Sequence, residues 1–331
     1  MNRTYDVYGI GNALLDIDFE VVPETLTRLG IEKSVMTLID EEQHHALLED
    51  LDGVKHIKAS GGSAANTVIT TAQLGGKSFY SCKVAADSSG DFFYADLKQS
   101  GVDTNLDHQK REHGFTGKCI VMVTPDADRT MNTFLGITAD FSSRELIPEA
   151  LKASNYLYIE GFLVASPPSF EAALIAKEIA EEAQVKTALT LSDPNMVIYF
   201  KDQLKALMTK KLDLLFCNEQ EAQLFCGVDD LNEIQTMLKK VAHSFVITQG
   251  PRGALLYDGH EAHLIPSHPV IAVDTVGAGD VFAGAYLHGL NQGVKPALAA
   301  RLASFAAAKV VSKFGPRLSK VEVAETLAHL E

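Results

Sequence analysis

Seven short apolar runs recur along the chain, at 5–11, 79–85, 156–161, 188–193, 214–218, 244–248 and 254–257. Helical patterns such as 170–183 and 219–226 lie between them. Several runs are apolar at consecutive positions, as strands covered on both faces tend to be. Strands of this kind alternating with helices predict an α/β protein with a mostly parallel central sheet flanked by helices. In such sheets ligands collect at the carboxyl ends of the strands. The residues that follow each run are therefore the first place to look for chemistry.

Two stretches break the alternation. Residues 16–39 and 114–134 are β-rich and lack a helix of ordinary length, and Pro125–Asp128 reads as a hairpin turn within the second. They are expected to form one small β-sheet projecting from the main sheet. A chain of 331 residues has room for about two domains, or for one large domain with an insertion. No internal repeat, linker or low-complexity segment is present. The expectation is a single α/β domain over 1–331, with insertions at about 16–39 and 114–134.

The strongest local signal is Asp274-Thr-Val-Gly-Ala-Gly-Asp280, after the apolar run 270–273 and before a helical stretch 281–290 closed by Gly293. It reads as strand, glycine loop, helix. Gly277 and Gly279 let the backbone approach an anion, and the helix N-terminus adds partial positive charge. Asp280 falls in the first turn, aimed at the same space, where the helix end favours its ionised form. A carboxylate beside an anion hole suits phosphoryl transfer to a hydroxyl, taking the hydroxyl proton while N–H groups hold developing charge. The alternative is a glycine turn with Asp280 as a plain helix cap.

Other polar groups follow other strands. Gly61-Gly-Ser-Ala-Ala-Asn66 lies between a short strand and a helix at 64–74. It is either a ligand-approach loop, with Asn66 bonding hydroxyls, or a tight turn capped by Ser63. Gly9-Ile-Gly-Asn12 lacks the third glycine of a dinucleotide fingerprint, because Leu14 stands there. Asn12 and Asp16 remain as polar groups at a strand end. Asn218-Glu-Gln-Glu221 opens a helix, so its acids either hold Mg²⁺ through water or face the helix dipole. Thr248-Gln-Gly-Pro-Arg-Gly253 either faces a nucleotide or is a plain turn. His260, His263 and His268 have no further close ligand to complete a zinc site.

Composition narrows the functional classes. With 46% hydrophobic and 22% charged residues the chain is not of a disordered type. Its 29 basic and 43 acidic side chains give a formal charge of −14, which argues against broad nucleic-acid or anionic-membrane binding. Cys82, Cys119, Cys217 and Cys226 show no paired spacing and read as free thiols. Acidic residues interrupt the N-terminus, leaving no signal-peptide core. The longest uncharged run, 59–76, is rich in Gly, Ser, Thr and Asn and is no membrane span. A cytoplasmic protein is expected.

The pair of motifs Gly61–Asn66 and Asp274–Asp280 resembles the ribokinase-like (PfkB) family of carbohydrate and nucleoside kinases, across essentially the whole chain. Asn218–Glu221 and Thr248–Gly253 fall in the expected order. Within the family, Gly11–Ile17, the Gly-Gly-Ser loop and the hairpin ending in Arg129 look most like adenosine kinases. The resemblance implies an α/β core, a β-sheet lid, ATP as phosphoryl donor and Mg²⁺. It implies Asp280 as catalytic base and Gly277, Ala278 and Gly279 as anion hole. It assigns Asp16, Gly62, Ser63 and Asn66 to the acceptor hydroxyls, with Asn12 in support and Phe134 and Phe162 as candidate base-stacking rings. Arg129 would reach the transferring phosphate from the lid. Asn218 and Glu221 would organise Mg²⁺, and Thr248, Gly250 and Gly253 would line the nucleotide site. Asp193 and Asn195 resemble a polar pair near the phosphates. The segment 306–319 resembles one that holds a monovalent cation in some relatives. The implied reaction is ATP-dependent phosphorylation of a primary hydroxyl, adenosine to AMP. The alternatives are a free ribose or ketose as acceptor, or a nucleoside- or sugar-binding protein without turnover. A monomer or homodimer is compatible with either.

Overall fold

The computed structural model describes residues 3–33, 35–126 and 128–330. In chain order its strands are β1 (Tyr5–Ile10), β2 (Leu14–Glu20), β3 (Met36–Leu38), β4 (His56–Gly61), β5 (Ser78–Ser81), β6 (Val102–Thr104), β7 (Gly117–Val123), β8 (Arg129–Phe134), β9 (Ser154–Ile159), β10 (Lys186–Thr190), β11 (Leu212–Asn218), β12 (Ala242–Thr248), β13 (Ala254–Tyr257) and β14 (Ala262–Ile265). The main sheet has the order β14-β13-β12-β11-β10-β9-β1-β5-β6. From β12 to β6 every pairing is parallel, and β13 and β14 close one edge as an antiparallel hairpin. This is the α/β architecture expected from the sequence.

The apolar runs are continuous because both faces of the sheet are covered. In β1, Val7 joins a core with Val68 and Tyr80 on one face, while Tyr8 and Ile10 join Leu157 and Leu163 on the other. Each such side chain, fully buried, contributes roughly 1.5–3 kcal/mol. The helices Ser63–Gln73 and Ala278–Asn291 cover the first face, and the helix Pro167–Glu182 packs on the second. All four cysteines are buried free thiols.

The second sheet has the order β3-β8-β7-β2-β4. It extends past the stretches 16–39 and 114–134, because β2 begins at Leu14 and β4 (His56–Gly61) adds an edge strand. Period-two alternation sorts its side chains. Leu15, Ile17, Phe19, Ile120 and Met122 pack with Leu26 and Leu51, beside the helices Pro23–Leu29 and Glu41–Asp50. Asp16, Cys119, Val121, Arg129, Met131 and Thr133 take the opposite face.

One expected strand is absent. The run 270–273 lies in a loop from 266 to 277 without regular structure. The N–H groups of Val273 and Asp274 donate to the carbonyl of Val311, at 2.8 and 3.2 Å, instead of to a sheet neighbour. The sheet ends at β14, and Ile271 is 86% exposed. The backbone there bonds the end of the helix Pro296–Val311 and not the edge of β14, so apolar composition alone makes no strand. Among the described residues no helix is long and apolar enough to cross a membrane.

Candidate active site

The strand order reverses at β1, whose neighbours are β5 on one side and β9 on the other. A crevice is expected outside the carboxyl ends at such a point. A cavity opens there, between the two sheets. Its wall contains Asn12, Asp16, Gly62, Ser63, Asn66, Arg129, Phe162, Asn218, Glu221, Thr248, Gly277, Gly279 and Asp280. Residues up to 268 positions apart in sequence thus share one space.

Asp280 lies in the first turn of the helix Ala278–Asn291, whose N-cap is Gly277 in a left-handed conformation (φ 72°). Its carboxylate does not cap that helix. Oδ1 accepts from the Ser63 hydroxyl at 2.6 Å, and Oδ2 accepts from Asn66 Nδ2 at 3.0 Å. Ser63 likewise caps nothing: the N-cap of its helix is Gly62. Gly62 has φ 94°, and a Cβ there would lie 2.0 Å from the Asn12 carbonyl, so only glycine fits the turn. Burial is the largest influence on Asp280 and raises its pKa, against the pull of Ser63, Asn66, Arg129 and Arg317. The shift that burial imposes runs against the one that the helix end favours.

Asp16, on β2, is 5% exposed. Burial and the neighbouring Asp18 raise its pKa well above the usual range, and Arg317 opposes them. A ligand that donates hydrogen bonds to it would relieve that desolvation.

Sequence reasoning missed Glu160, which directly follows β9, the neighbour of β1. Its Oε1 accepts from the Asn12 N–H at 3.2 Å and its Oε2 from the Ala64 N–H at 2.8 Å. It ties the end of the first strand to the first turn of the helix Ser63–Gln73. Burial pushes its pKa up to about 8 despite both bonds. A readable signal existed: an acid directly after the apolar run Tyr156–Ile159. Thr190, the last residue of β10, and Ser192 after it also line the cavity.

The opposite end of the cavity carries Asn218, Glu221 and Asp193. Asn218 and Glu221 form a reciprocal capping box: Asn218 Oδ1 accepts from the Glu221 N–H at 2.8 Å, and Glu221 accepts from the Asn218 N–H and Nδ2 at 2.9 and 2.7 Å. Glu221 is pushed up to about 7, by burial first and then by Asp193, with Arg129 opposing. Asp193 is also raised by burial, and Arg129 opposes that shift too. Arg129 reaches across from β8 and donates to the Thr275 carbonyl at 3.3 Å. Its positive charge lowers the pKa of Asp193, Glu221, Asp274 and Asp280.

Several expected residues are not in the wall. Phe134 is absent from it: Arg129, Met131 and Thr133 face the cavity, so the next residue of β8 turns away and packs on His44, with ring centroids 5.9 Å apart. Asn195 is two residues past Asp193, to which its N–H donates at 2.7 Å, and does not line the cavity. Gly250 and Gly253 shape the turn between β12 and β13, and Ala278 is set back from the wall between Gly277 and Gly279. The three histidines do not gather. His263 bonds Asp258 at 2.9 Å, and His268 packs edge-on to Phe305.

Comparison with known proteins gives concordant results. The model of the pfkB family of carbohydrate kinases matches residues 32–323. The chain is 26% identical over 328 residues to an adenosine kinase of Saccharomyces cerevisiae, covering 93% of this chain and 95% of that one. It is 29% identical over 249 residues to fructokinase-1 of Oryza sativa subsp. japonica, covering 71% and 75%. Among solved structures, a probable sugar kinase from Rhizobium etli is similar with a TM-score of 0.93 and 32% identity over 100% of both chains. The adenosine kinase of Sinorhizobium meliloti is similar with a TM-score of 0.91 and 31% identity, over 98% of this chain and 99% of that one.

Proposed function

The chain belongs to the pfkB family of carbohydrate kinases and is a phosphotransferase with an alcohol acceptor; from that premise we propose that it transfers the γ-phosphoryl group of ATP to the 5′-hydroxyl of a ribonucleoside, adenosine first among them. The observation that carries this reading is the placement of Asp280. It stands beside the N–H groups of Gly277 to Gly279, at the carboxyl ends of the parallel strands, held by Ser63 and Asn66.

In this reading Asp280 takes the proton of the acceptor hydroxyl. Its raised pKa makes it a stronger base than an ordinary carboxylate once ionised. Ser63 and Asn66 fix both of its oxygens, so the lone pair that receives the proton is oriented in advance. The N–H groups at the start of the helix Ala278–Asn291 would hold negative charge as it develops, with Arg129 opposite them. Bound ATP supplies the phosphoryl group, and Mg²⁺ its charge neutralisation. The residues present fit both. Asp193 and Glu221 are desolvated carboxylates, and Asp193 raises the pKa of Glu221 further; a cation relieves such a pair, and they would hold Mg²⁺ through water. A monovalent cation would find Asp274, bonded to Gly315 of the segment 306–319 at 3.0 Å, and Asp18, buried with neither oxygen hydrogen-bonded among the described residues.

The acceptor side supports a nucleoside. Asp16 offers a carboxylate to two neighbouring hydroxyls, as the 2′ and 3′ positions of a ribose present them. Beside it the wall is apolar, with Leu14, Met36, Leu38, Leu135 and Phe162. A purine covers such a wall with a broad flat ring, whereas a free sugar brings hydroxyls to it and covers less. The second reading, a free sugar as acceptor, is favoured by the comparable similarity to fructokinase-1 and to the probable sugar kinase. Transfer from γ-labelled ATP with Mg²⁺ to adenosine, ribose and fructose separates the two. A kcat/KM highest for adenosine is expected, and a higher value for ribose or fructose replaces the nucleoside reading with the sugar one.

A further inference from the structure

Arg317 lies between the helix Pro296–Val311 and the helix Lys320–Leu327. Its guanidinium meets three separate elements. Nη1 donates to Asn66 Oδ1 at 3.0 Å, Nη2 donates to the carbonyl of Ser60 at the end of β4, and Nη2 stands 3.7 Å from Asp96 Oδ2. Asp96 also accepts from the Ser60 N–H at 3.2 Å. The next residue, Leu318, is buried, and its carbonyl accepts from Gln73 Nε2 at 3.0 Å, which anchors the segment on the helix Ser63–Gln73.

We propose that Arg317 is the positioning residue of the phosphoryl transfer: it sets which end of the Asn66 amide faces Asp280, and it supplies a fixed positive charge to the Asp16 and Asp280 carboxylates. The inference rests on the reading of Asp280 as the base.

The orientation argument follows from donor and acceptor inventories. A guanidinium only donates, so the Asn66 group facing it must be Oδ1. The amide then has only its NH₂ to present on the other side, where Asp280 Oδ2 accepts at 3.0 Å. Turning the amide over would set donor against donor at Arg317 and acceptor against acceptor at Asp280. Arg317 thus acts on Asp280 through Asn66. A lysine would supply the charge but not the planar fork that spans Asn66 and Ser60.

The charge argument follows from the groups around the base. Asp16 from β2, Glu160 after β9, Glu221 from the helix Glu219–Cys226, Tyr80 from β5 and Tyr158 from β9 are acids whose pKa the charge of Asp280 raises. Against them stand two cations, Arg129 from β8 and Arg317. Removing one of two opposing charges raises the value at which Asp280 ionises.

The test uses the full chain with Arg317→Gln and Arg317→Lys. Two readouts are followed over pH 5.5–9: kcat and KM with ATP, Mg²⁺ and adenosine, and the side-chain amide ¹⁵N–¹H resonance of Asn66 without substrate, assigned by its loss in Asn66→Ala. Arg317→Gln is expected to lower kcat by about tenfold or more, with KM for ATP little changed. It should move the acid limb of kcat, and the titration of the Asn66 resonance, upward by about one pH unit. Arg317→Lys should restore the acid limb without restoring kcat. A lower melting temperature with both titrations unmoved would make Arg317 a structural residue only and overturn the proposal. Asp280→Asn run alongside keeps the two ideas apart. If it retains turnover, the base reading fails while the Asn66 resonance still decides the orientation. If it is inactive but both Arg317 variants match the wild type, the inference alone fails.

Discussion

Replacing Glu160 by glutamine separates two effects that act in opposite directions. The side chain is 1% exposed and bonds two backbone N–H groups. Its pKa moves from 4.5 to about 8 on burial. A carboxyl raised in the folded state binds more protons folded than unfolded between those values. Its stabilising contribution is therefore complete below about pH 4.5 and is lost as pH rises through about 8. At about 1.4 kcal/mol per unit, the full loss is about 5 kcal/mol. Glutamine does not ionise and escapes that loss. It has only one acceptor oxygen, so either the Asn12 or the Ala64 N–H is left buried and unbonded, at about 1–3 kcal/mol. Urea unfolding of both proteins from pH 5 to 8.5 reads the balance. At pH 5 Glu160→Gln should be the less stable by about 1–3 kcal/mol, and by pH 8.5 the difference should vanish or reverse. Asp18 and Glu221 titrate in the same window in both proteins and drop out of the difference curve, while Asp16, which Glu160 raises, adds to the difference with the same sign. Parallel curves would refute the reasoning, because they would mean that Glu160 is ionised throughout.

Arg129→Ala removes the cation that lowers the pKa of Asp193, Glu221 and Asp280. It should lower kcat by about 10²-fold while changing KM for the acceptor far less, as steady-state kinetics will show. Asp16→Ala should abolish useful acceptor binding by calorimetry. With the intact chain, 2′-deoxyadenosine should fall below adenosine in kcat/KM by roughly 10²–10⁴-fold, because a carboxylate built for two hydroxyls is left half-paired.

The parts of the site that adjoin a glycine loop were legible from sequence, and the parts set by parity or by long-range return of the chain were not. Asp280, Ser63 and Asn66 each sit in the first turn of a helix that follows a glycine, so local spacing places them. Asn218 and Glu221 are three apart at a helix start, and that spacing alone makes the capping box. Phe134 shows the limit. Once Arg129 is taken to face the site, a residue five positions on in the same strand must face away, and the alternation could have removed it. The apolar run 270–273 misled because strand propensity says nothing of which partner the backbone finds, here the carbonyl of Val311. Arg317 meets Asn66 across 251 positions, and no local pattern encodes that meeting. Glu160 lies between: an acid at a strand end is visible, but its two backbone partners come from β1 and the helix Ser63–Gln73.

The most direct test of the account is phosphoryl transfer by Asp280→Asn. The substitution keeps the shape of the side chain, and its carbonyl oxygen can still accept from Ser63 or Asn66, but it takes no proton at neutral pH. Turnover of adenosine, followed by label transfer from γ-labelled ATP with Mg²⁺, should fall by about 10²–10⁴-fold, and adenosine binding measured by calorimetry should be largely kept. Turnover near the wild-type value would contradict the account, because the carboxylate at the head of the helix Ala278–Asn291 would then not be the base.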